Sequence, residues 1–174
     1  NHDEQRAMTL LGKERSQLSA VLISTLAGMK LFHDGQFEGK KIKLPVQLGR
    51  EPQEVELKCM KEFYENLLTI TKADVFRYGD WHLMNVFSPW SDNTTFRNII
   101  AYEWRYKTDK ALVVMNFANT TSTAKIKLDV VGYPDAFILH DVLNNIDYTR
   151  STEEAYHTGL FIELKAYRAH IFLY

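Results

Sequence analysis

The sequence has little of several features that define common classes of protein. It contains one cysteine, Cys59, so it cannot form an intramolecular disulfide framework; this favours a cytoplasmic setting, although the compartment stays open. Its net charge is −1, which argues against a nucleic-acid partner, because such a partner usually needs a dominant basic face. No apolar run reaches the roughly 20 residues of a membrane-spanning helix, so we expect no membrane partner.

The chain also lacks the features of a natural start. It opens Asn-His-Asp-Glu-Gln-Arg, with no Met and no apolar stretch of a targeting signal. We therefore expect either a processed chain or one that begins inside a domain. With 174 residues, 45% of them hydrophobic, it has enough apolar material to bury a core.

The first part of the chain, residues 1–75, has the pattern of alternating helices and strands. Apolar residues recur at helical spacing over residues 13–27, and Gly28 suits the end of that helix. The short apolar run 29–33 predicts a buried strand. A second amphipathic helix is predicted from Pro52 to about Ile70. A helix–strand–helix order is typical of a βα barrel or a doubly wound sheet.

Residues 76–174 have a different period. Apolar and polar residues alternate in short runs separated by turn residues, which predicts an antiparallel β-sandwich and makes the whole chain α+β. The predicted strands span residues 98–106, 110–117, 123–130, 136–143, 160–165 and 168–174.

Three sets of residues follow one another along the chain: the opening triplet Asn1-His2-Asp3, the segment 26–36 (LAGMKLFHDGQ), and the runs 111–117, 139–143 and 159–174. Together they resemble the C-terminal part of the α-amylase family of glycoside hydrolases. The opening triplet Asn1-His2-Asp3 resembles the signature at the end of barrel strand 7. Residues 26–36 (LAGMKLFHDGQ) resemble the strand-8 segment, although Phe37 separates Gln36 from the acid that follows it directly in many members. Residues 111–117, 139–143 and 159–174 resemble strands of the family's C-terminal sandwich. The resemblance implies that residues 1–75 are the end of a catalytic (β/α)₈ barrel and that 76–174 are its C-terminal all-β domain.

This resemblance also implies a chemistry. Members are similar in being retaining enzymes on α-linked glucosides, which need a nucleophilic carboxylate and an acid/base carboxyl about 5 Å apart. A third carboxylate stabilises the transition state, and by motif it is Asp3; the neighbouring imidazole, His2, donates a hydrogen bond to the substrate. Barrel sites lie at the C-terminal ends of strands, where Asp3 would stand. Taken without the resemblance, both residues would be a polar chain end.

The nucleophile and the acid/base belong to barrel strands upstream of Asn1. The whole protein is therefore expected to be an enzyme acting on an α-glucan or oligosaccharide, while this chain by itself is expected to be inactive. Strand 29–33 would lack its barrel neighbours, and its unpaired edges predict self-association unless it is rearranged or covered.

A second hypothesis belongs to a different class of function. The sandwich would be a non-catalytic carbohydrate-binding module that holds sugar on loop aromatics such as Trp90, although a loop anchor is the simpler interpretation of that residue. Gln36 is a further substrate-binding candidate, with a loop-capping role as its alternative. No cofactor is expected, and the scattered histidines suggest no metal site.

Overall fold

The computed structural model describes residues 2–174 and divides the chain into two compact units, Asn1–Thr69 and Ile70–Tyr174. Helices dominate the first unit and antiparallel strands the second, which confirms the predicted α+β class. The predicted domain boundary lay at residues 75 and 76. In the described part of the chain, no helix is long and apolar enough to cross a membrane.

The first unit consists of two helices and the long loop that joins them. Helix α1 spans Ala7–Thr25 and α2 spans Lys58–Ile70. Helix α1 is kinked at Gly12, whose φ of 70° and ψ of −177° are not helical and are readily adopted by glycine. The regular helix therefore follows Gly12, which agrees with the predicted start at residue 13.

Two predictions for this unit are wrong. Residues 29–33 form no strand, and the side chains of Met29 and Leu31 are 99% and 68% exposed. A parallel barrel strand is stable only between neighbouring strands that complete its hydrogen bonds and elements that cover its faces. The described residues of this unit contain no strand with which residues 29–33 could pair. Self-association here stays a prediction, and it would have to use exposed apolar side chains rather than a strand edge.

The second helix begins later than predicted, at Lys58 rather than near Pro52. The reason is a set of long-range contacts. The carboxylate of Glu54 accepts hydrogen bonds from the backbone N–H of Lys41, at 2.7 Å, and of Ile42. The backbone N–H of Leu57 donates to the carbonyl of Glu38 at 2.9 Å. These bonds hold residues 54–57 against the loop and prevent the helix from starting earlier.

The second unit contains one short helix, nine strands and two further helical turns. All six strands predicted from the sequence are present within a few residues of their predicted ends, whereas three further strands, Asp80–Leu83, Val86–Phe87 and Ile146–Ser151, were not predicted. The elements are α3 (Asp74–Tyr78), β1 (Asp80–Leu83), β2 (Val86–Phe87), a 3₁₀ turn (Thr95–Asn98), β3 (Ile99–Tyr106), β4 (Asp109–Asn116), β5 (Ser122–Ile126), β6 (Ala136–Asp141), β7 (Ile146–Ser151), a π-helical turn (Glu154–Gly159), β8 (Leu160–Leu164) and β9 (Ala169–Leu173).

Two antiparallel sheets form a sandwich. The six-stranded sheet has the order β1-β3-β4-β9-β6-β7 and the three-stranded sheet the order β2-β5-β8. Inward-facing side chains of both sheets, such as Leu112, Val114, Ile126 and Leu160, pack into one core and are at most 2% exposed. Helix α3 covers the other face of the large sheet, where Phe76 contacts the buried Trp104 edge-on at 6.3 Å. The predicted sandwich is therefore present. Its smaller sheet ends at β2 on one side and at β8 on the other.

Candidate functional site

A buried arginine attaches the beginning of the chain to the loop between α1 and α2. The side chain of Arg6 is 7% exposed, and its Nε donates to the carbonyl oxygen of Ile42 at 3.0 Å. Its guanidinium also donates to the carbonyl oxygen of Asp34. A guanidinium carries five N–H donors in a rigid fork, so one side chain can fasten two points of a loop. Residues 2–6 are thus held beside residues 33–42.

His2 and Asp3 lie on the surface next to this attachment. Nε2 of His2 lies 3.2 Å from Oδ1 of Asp3, and both side chains are exposed. The ammonium group of Lys43 donates to the backbone carbonyl of Asp3, so the backbone at Asp3 is also tied to the loop. Asn1, the first residue of the predicted triplet, lies outside the described residues. The two predicted active-site residues therefore form a solvent-facing pair beside the loop.

Gln36 lies half-buried within the loop, and its amide is engaged at both ends. Its Nε2 donates to the hydroxyl of Tyr64 at 2.9 Å, and its Oε1 accepts from the backbone N–H of His33 at 3.2 Å. Tyr64 is fully buried, and burial raises the pKa of its phenol above the ordinary value. The ring of Phe37 stacks on Tyr64 with centroids 4.6 Å apart. These contacts fix the direction of the Gln36 side chain, while its substrate role stays a prediction.

A cavity of about 190 Å³ lies between this loop and α1, and Arg6, His33, Gln36 and Tyr64 are among the residues that line it. Desolvation lowers the pKa of His33, and the positive charge of Arg6 lowers it further, against the opposite effect of Asp34. His33 is therefore a neutral imidazole near pH 7, able to exchange hydrogen bonds with hydroxyl groups. His2 and Asp3 are not among the lining residues.

The sequence did not point to Arg6, His33 or Tyr64 as parts of this site. Tyr64 lies within the predicted second helix, where nothing distinguishes it from the other apolar residues, and Arg6 stands outside any periodic segment. The structure brings them to Gln36 through contacts such as Arg6 to Ile42 and Gln36 to Tyr64, which join residues 36 and 28 positions apart in the chain. The pattern of neighbouring residues in a sequence gives no signal for contacts between residues so far apart.

Trp90 belongs to the second unit. Its side chain is 54% exposed, and its ring is stacked on that of Phe161 with centroids 6.4 Å apart and an interplanar angle of 24°. The loop that carries it is shaped by the hydroxyl of Ser88, which donates to the carbonyl oxygen of Asn93 at 2.8 Å. Trp90 is thus an outward-facing aromatic ring that Phe161 supports on one side. Within residues 2–174, no group of three or more His, Cys, Asp or Glu side chains could hold a metal ion.

Comparison with known proteins identifies the fold. No family model and no curated protein sequence matches the chain. The noncanonic maltogenic α-amylase AmyB from Thermotoga neapolitana aligns over 100% of this chain and 39% of its own, with a TM-score of 0.81 and 19% identity. An α-amylase from Lactobacillus plantarum aligns over 100% of this chain and 36% of its own, with a TM-score of 0.71 and 16% identity.

A debranching enzyme from Nostoc punctiforme, in crystals soaked with acarbose, covers 99% of this chain and 32% of its own, with a TM-score of 0.67 and 18% identity. The chain therefore spans about a third of the length of these solved structures. The predicted resemblance is confirmed for the fold, which is that of the C-terminal part of α-amylase-family glycoside hydrolases.

Proposed function

We propose that the chain is the C-terminal region of a retaining, α-glucan-active glycoside hydrolase or transglycosidase. Residues 1–75 are its contribution to the catalytic barrel, and residues 76–174 are the all-β domain that follows. The observation that supports this most is the fold match over the whole chain to the T. neapolitana maltogenic α-amylase. The solved structures with a similar fold include enzymes complexed with acarbose and with maltose. An oligosaccharide is therefore the proposed substrate class.

Asp3 is the proposed transition-state stabiliser, and His2 is its neighbour on the sugar. In the first step of a retaining reaction, a carboxylate attacks the anomeric carbon while a carboxylic acid protonates the leaving oxygen. In the second step, water attacks the same carbon and releases the nucleophilic carboxylate, while the former acid, now a carboxylate, removes a proton from that water. Positive charge develops on the sugar ring in both steps. A carboxylate held against sugar hydroxyls, as proposed for Asp3, binds that distorted ring more tightly than the ground state.

The arrangement around Arg6 supports these roles. In a barrel, the C-terminal ends of neighbouring strands lie side by side and together form the site. Here Arg6 holds the segment of His2 and Asp3 beside the loop of Gln36, as the resemblance to strands 7 and 8 requires. We propose that Gln36, oriented by Tyr64, faces the same sugar from that loop. The nucleophile and the acid/base are proposed to come from a preceding part of the protein.

The first experiment compares this chain with the full-length gene product. The purified 174-residue chain, incubated with maltoheptaose, should release no new reducing ends. In the full-length protein, Asp3→Asn should lower kcat at least about a hundredfold, the loss expected when one group that stabilises transition-state charge is removed. Glu4→Gln is the matched control, because Glu4 is the adjacent exposed acid, and it should leave kcat unchanged.

Two results would contradict this proposal. One is hydrolysis by the 174-residue chain that Asp3→Asn abolishes, since that would place a complete catalytic centre within these residues. The other is a full-length Asp3→Asn protein with the activity of the Glu4→Gln control.

A second candidate function is a carbohydrate-binding module without catalysis. The observation in its favour is the exposed Trp90 ring stacked on Phe161, because aromatic faces are surfaces on which sugar rings pack. Under this alternative, the 174-residue chain binds maltoheptaose through Trp90, and the full-length protein hydrolyses no α-glucan. Activity of the full-length protein that depends on Asp3 excludes it as the sole function.

A further inference from the structure

The positive charge of Arg6 is buried with no carboxylate beside it. Its side chain is 7% exposed, and both of its hydrogen bonds go to backbone carbonyl oxygens, those of Ile42 and Asp34. Within residues 2–174, no Asp or Glu forms an ion pair with its guanidinium. A guanidinium does not lose its proton in a protein, so it stays charged when it is buried. Burial of such a charge is unfavourable unless an opposite charge compensates for it.

Arg105, in the second unit, shows how a guanidinium is compensated in this chain. Its Nε donates to the fully buried carboxylate of Glu103, and its Nη1 lies 3.5 Å from a carboxylate oxygen of Asp129. Two carboxylates therefore face one guanidinium whose side chain is still 37% exposed. Arg6 is more deeply buried than Arg105, yet the described residues give it no carboxylate.

The acids of the loop beside Arg6 do not supply that charge. The carboxylate of Glu51 pairs with the ammonium group of Lys40. The carboxylate of Glu54 accepts hydrogen bonds from two backbone N–H groups of the loop. Asp34 is an exposed residue and offers Arg6 its carbonyl oxygen only. The folded loop therefore satisfies the N–H groups of Arg6 in part and leaves its charge unbalanced.

The cavity of about 190 Å³ that Arg6 borders suits a negatively charged group. Arg6 and Lys40 are among its lining residues, whereas no Asp or Glu of residues 2–174 lines it. The hydroxyl of Tyr64 and the Nε2 of Gln36 also line it, and each has a hydrogen beyond the bond that joins them. One water needs only roughly 10–15 Å³, so a carboxylate group fits.

A carboxylate is the anion that matches these donors best. Its two oxygens accept the parallel N–H groups of a guanidinium in a bidentate arrangement, which is stronger than a contact with a single atom. Arg6 uses its Nε and one further N–H for the two carbonyl oxygens, and a guanidinium has five N–H groups in all. A lysine has a single ammonium group and could not serve two carbonyls and a carboxylate in one plane.

The position of the cavity indicates where the carboxylate comes from. All of its lining residues lie between Gln5 and Tyr64, in the unit that begins the chain. The chain spans about a third of the length of the related solved structures, and the proposed function places the remainder before it. An acidic side chain of that preceding part can reach the cavity without any rearrangement of the sandwich.

We propose that an aspartate or glutamate from the preceding part of the protein enters this cavity and forms a buried ion pair with Arg6. This rests on the proposed function in one respect, that the protein continues before this chain. Arg6 then joins three pieces, the segment of Asp3, the loop of Gln36 and the preceding part. The candidate catalytic carboxylate Asp3 is thereby fixed relative to the groups that the preceding part contributes.

The test compares Arg6→Gln in the full-length protein with Arg6→Gln in the 174-residue chain. Removing one partner of a buried ion pair leaves the other charge uncompensated, which costs more than the loss of hydrogen bonds to two carbonyls. We therefore expect the substitution to accelerate amide exchange of residues 33–42 at least about a hundredfold more in the full-length protein. Hydrogen exchange with mass spectrometry measures this, and Arg50→Gln, at an exposed arginine of the same loop, should have no effect in either protein.

A second measurement needs no substitution at Arg6 in the full-length protein. Sodium acetate supplies a free carboxylate, so it should slow the exchange of residues 33–42 in the 174-residue chain. It should also raise the pKa of His33 there, because it offsets the charge of Arg6 that lowers this pKa. Sodium chloride at the same concentration should do less. The full-length protein, which supplies its own carboxylate, and the Arg6→Gln chain should not respond to acetate.

The proposal is overturned if Arg6→Gln has the same effect on exchange in both proteins, or if acetate leaves the 174-residue chain unchanged. It is also overturned if the full-length protein or the Arg6→Gln chain responds to acetate as the 174-residue chain does. Chloride acting as strongly as acetate would mean a site for any small anion. None of these measurements reads activity, so the proposed function, judged by the full-length Asp3→Asn protein, can fail or stand separately.

Discussion

The two units of this chain are held together in different ways. In the first unit, the loop from residue 26 to 57 is organised by side chains that bind backbone groups far away in sequence, as Arg6 and Glu54 do. In the second unit, continuous strand pairing fixes the backbone; β3 and β4, for example, pair over eight residue positions. A few side chains therefore decide the conformation of the first unit, whereas many equivalent backbone hydrogen bonds decide that of the second.

This difference matches the proposed division of roles. The candidate catalytic residues His2, Asp3 and Gln36 lie in segments without regular secondary structure, where a few contacts can set an individual side chain. The side chains of the second unit stand mainly on strands, where alternation gives them a fixed spacing. Substitutions in the two units should therefore have effects of different kinds, and three of them test this.

The largest effect is expected in the sandwich core. Leu112 is fully buried on β4, so Leu112→Ala should lower the free energy of unfolding of the second unit by about 3 kcal/mol through lost burial and the resulting cavity. Urea denaturation measures the loss, and hydrogen exchange should show faster opening of β3, β4 and β9 together. Ile100→Ala, at a 41% exposed position of β3, is the control and should cost much less. Fast exchange confined to β4 would contradict the cooperative sheet.

In the first unit, the expected effect is smaller and local. Arg6→Gln removes charged donors to the carbonyls of Asp34 and Ile42, at a cost of about 2 kcal/mol to the loop. Hydrogen exchange at the amides of Gln36 and Lys40 should accelerate, while the strands of the second unit keep their protection. The pKa of His33, which Arg6 helps to depress, should rise toward its ordinary value in an NMR titration.

Arg50→Gln serves as the control for Arg6, because Arg50 is an exposed arginine of the same loop. It should change neither the exchange rates nor the pKa of His33. If Arg6→Gln behaves like Arg50→Gln, the buried arginine does not organise the loop.

The smallest effect concerns Tyr174, which follows β9 and exchanges backbone hydrogen bonds with Lys110. Its hydroxyl donates to the buried carboxylate of Glu103, and burial together with that charge raises the pKa of the phenol far above its ordinary value. Tyr174→Phe should cost about 1.5 kcal/mol at pH 7, because the Glu103 carboxylate loses a donor.

The same pKa shift predicts a pH dependence. The phenol stays protonated in the folded chain but ionises near pH 10 in the unfolded chain, so its contribution to stability is complete below pH 10 and is lost as the pH rises above it. Urea denaturation at pH 8 and at pH 10.5 should show a larger loss for the unmodified chain than for Tyr174→Phe. Tyr78→Phe, at an exposed tyrosine, should retain the full pH dependence. Equal dependence in all three proteins would sink this prediction.

The sequence predicted most of the second unit and about half of the first. All six strands with clear alternation formed. The strands that were missed, β1, β2 and β7, are short or exposed along most of their length, as the side chains of β7 show. Such strands carry little apolar alternation, because most of their side chains are exposed.

The errors in the first unit have another cause. Residues 29–33 have the apolar composition of a buried strand, but a strand needs partners, and composition does not supply them. Residues 52–57 suit a helix locally, yet the bonds of Glu54 to the loop fix a different conformation. Gln36 was singled out from the motif, whereas its contact with Tyr64 and the lowered pKa of His33 depend on the folded loop.

By itself, the sequence determined the sandwich, the regular part of α1 and the resemblance to the α-amylase family. Each of these rests on a periodicity or a motif whose physical cause lies within a few neighbouring residues. The tertiary structure alone decided that Arg6 fastens the segment of Asp3 to the loop of Gln36, and that the hydroxyl of Tyr174 meets the buried carboxylate of Glu103. Those groups come from distant segments, and only the balance of burial and hydrogen bonding over the folded chain brings them together.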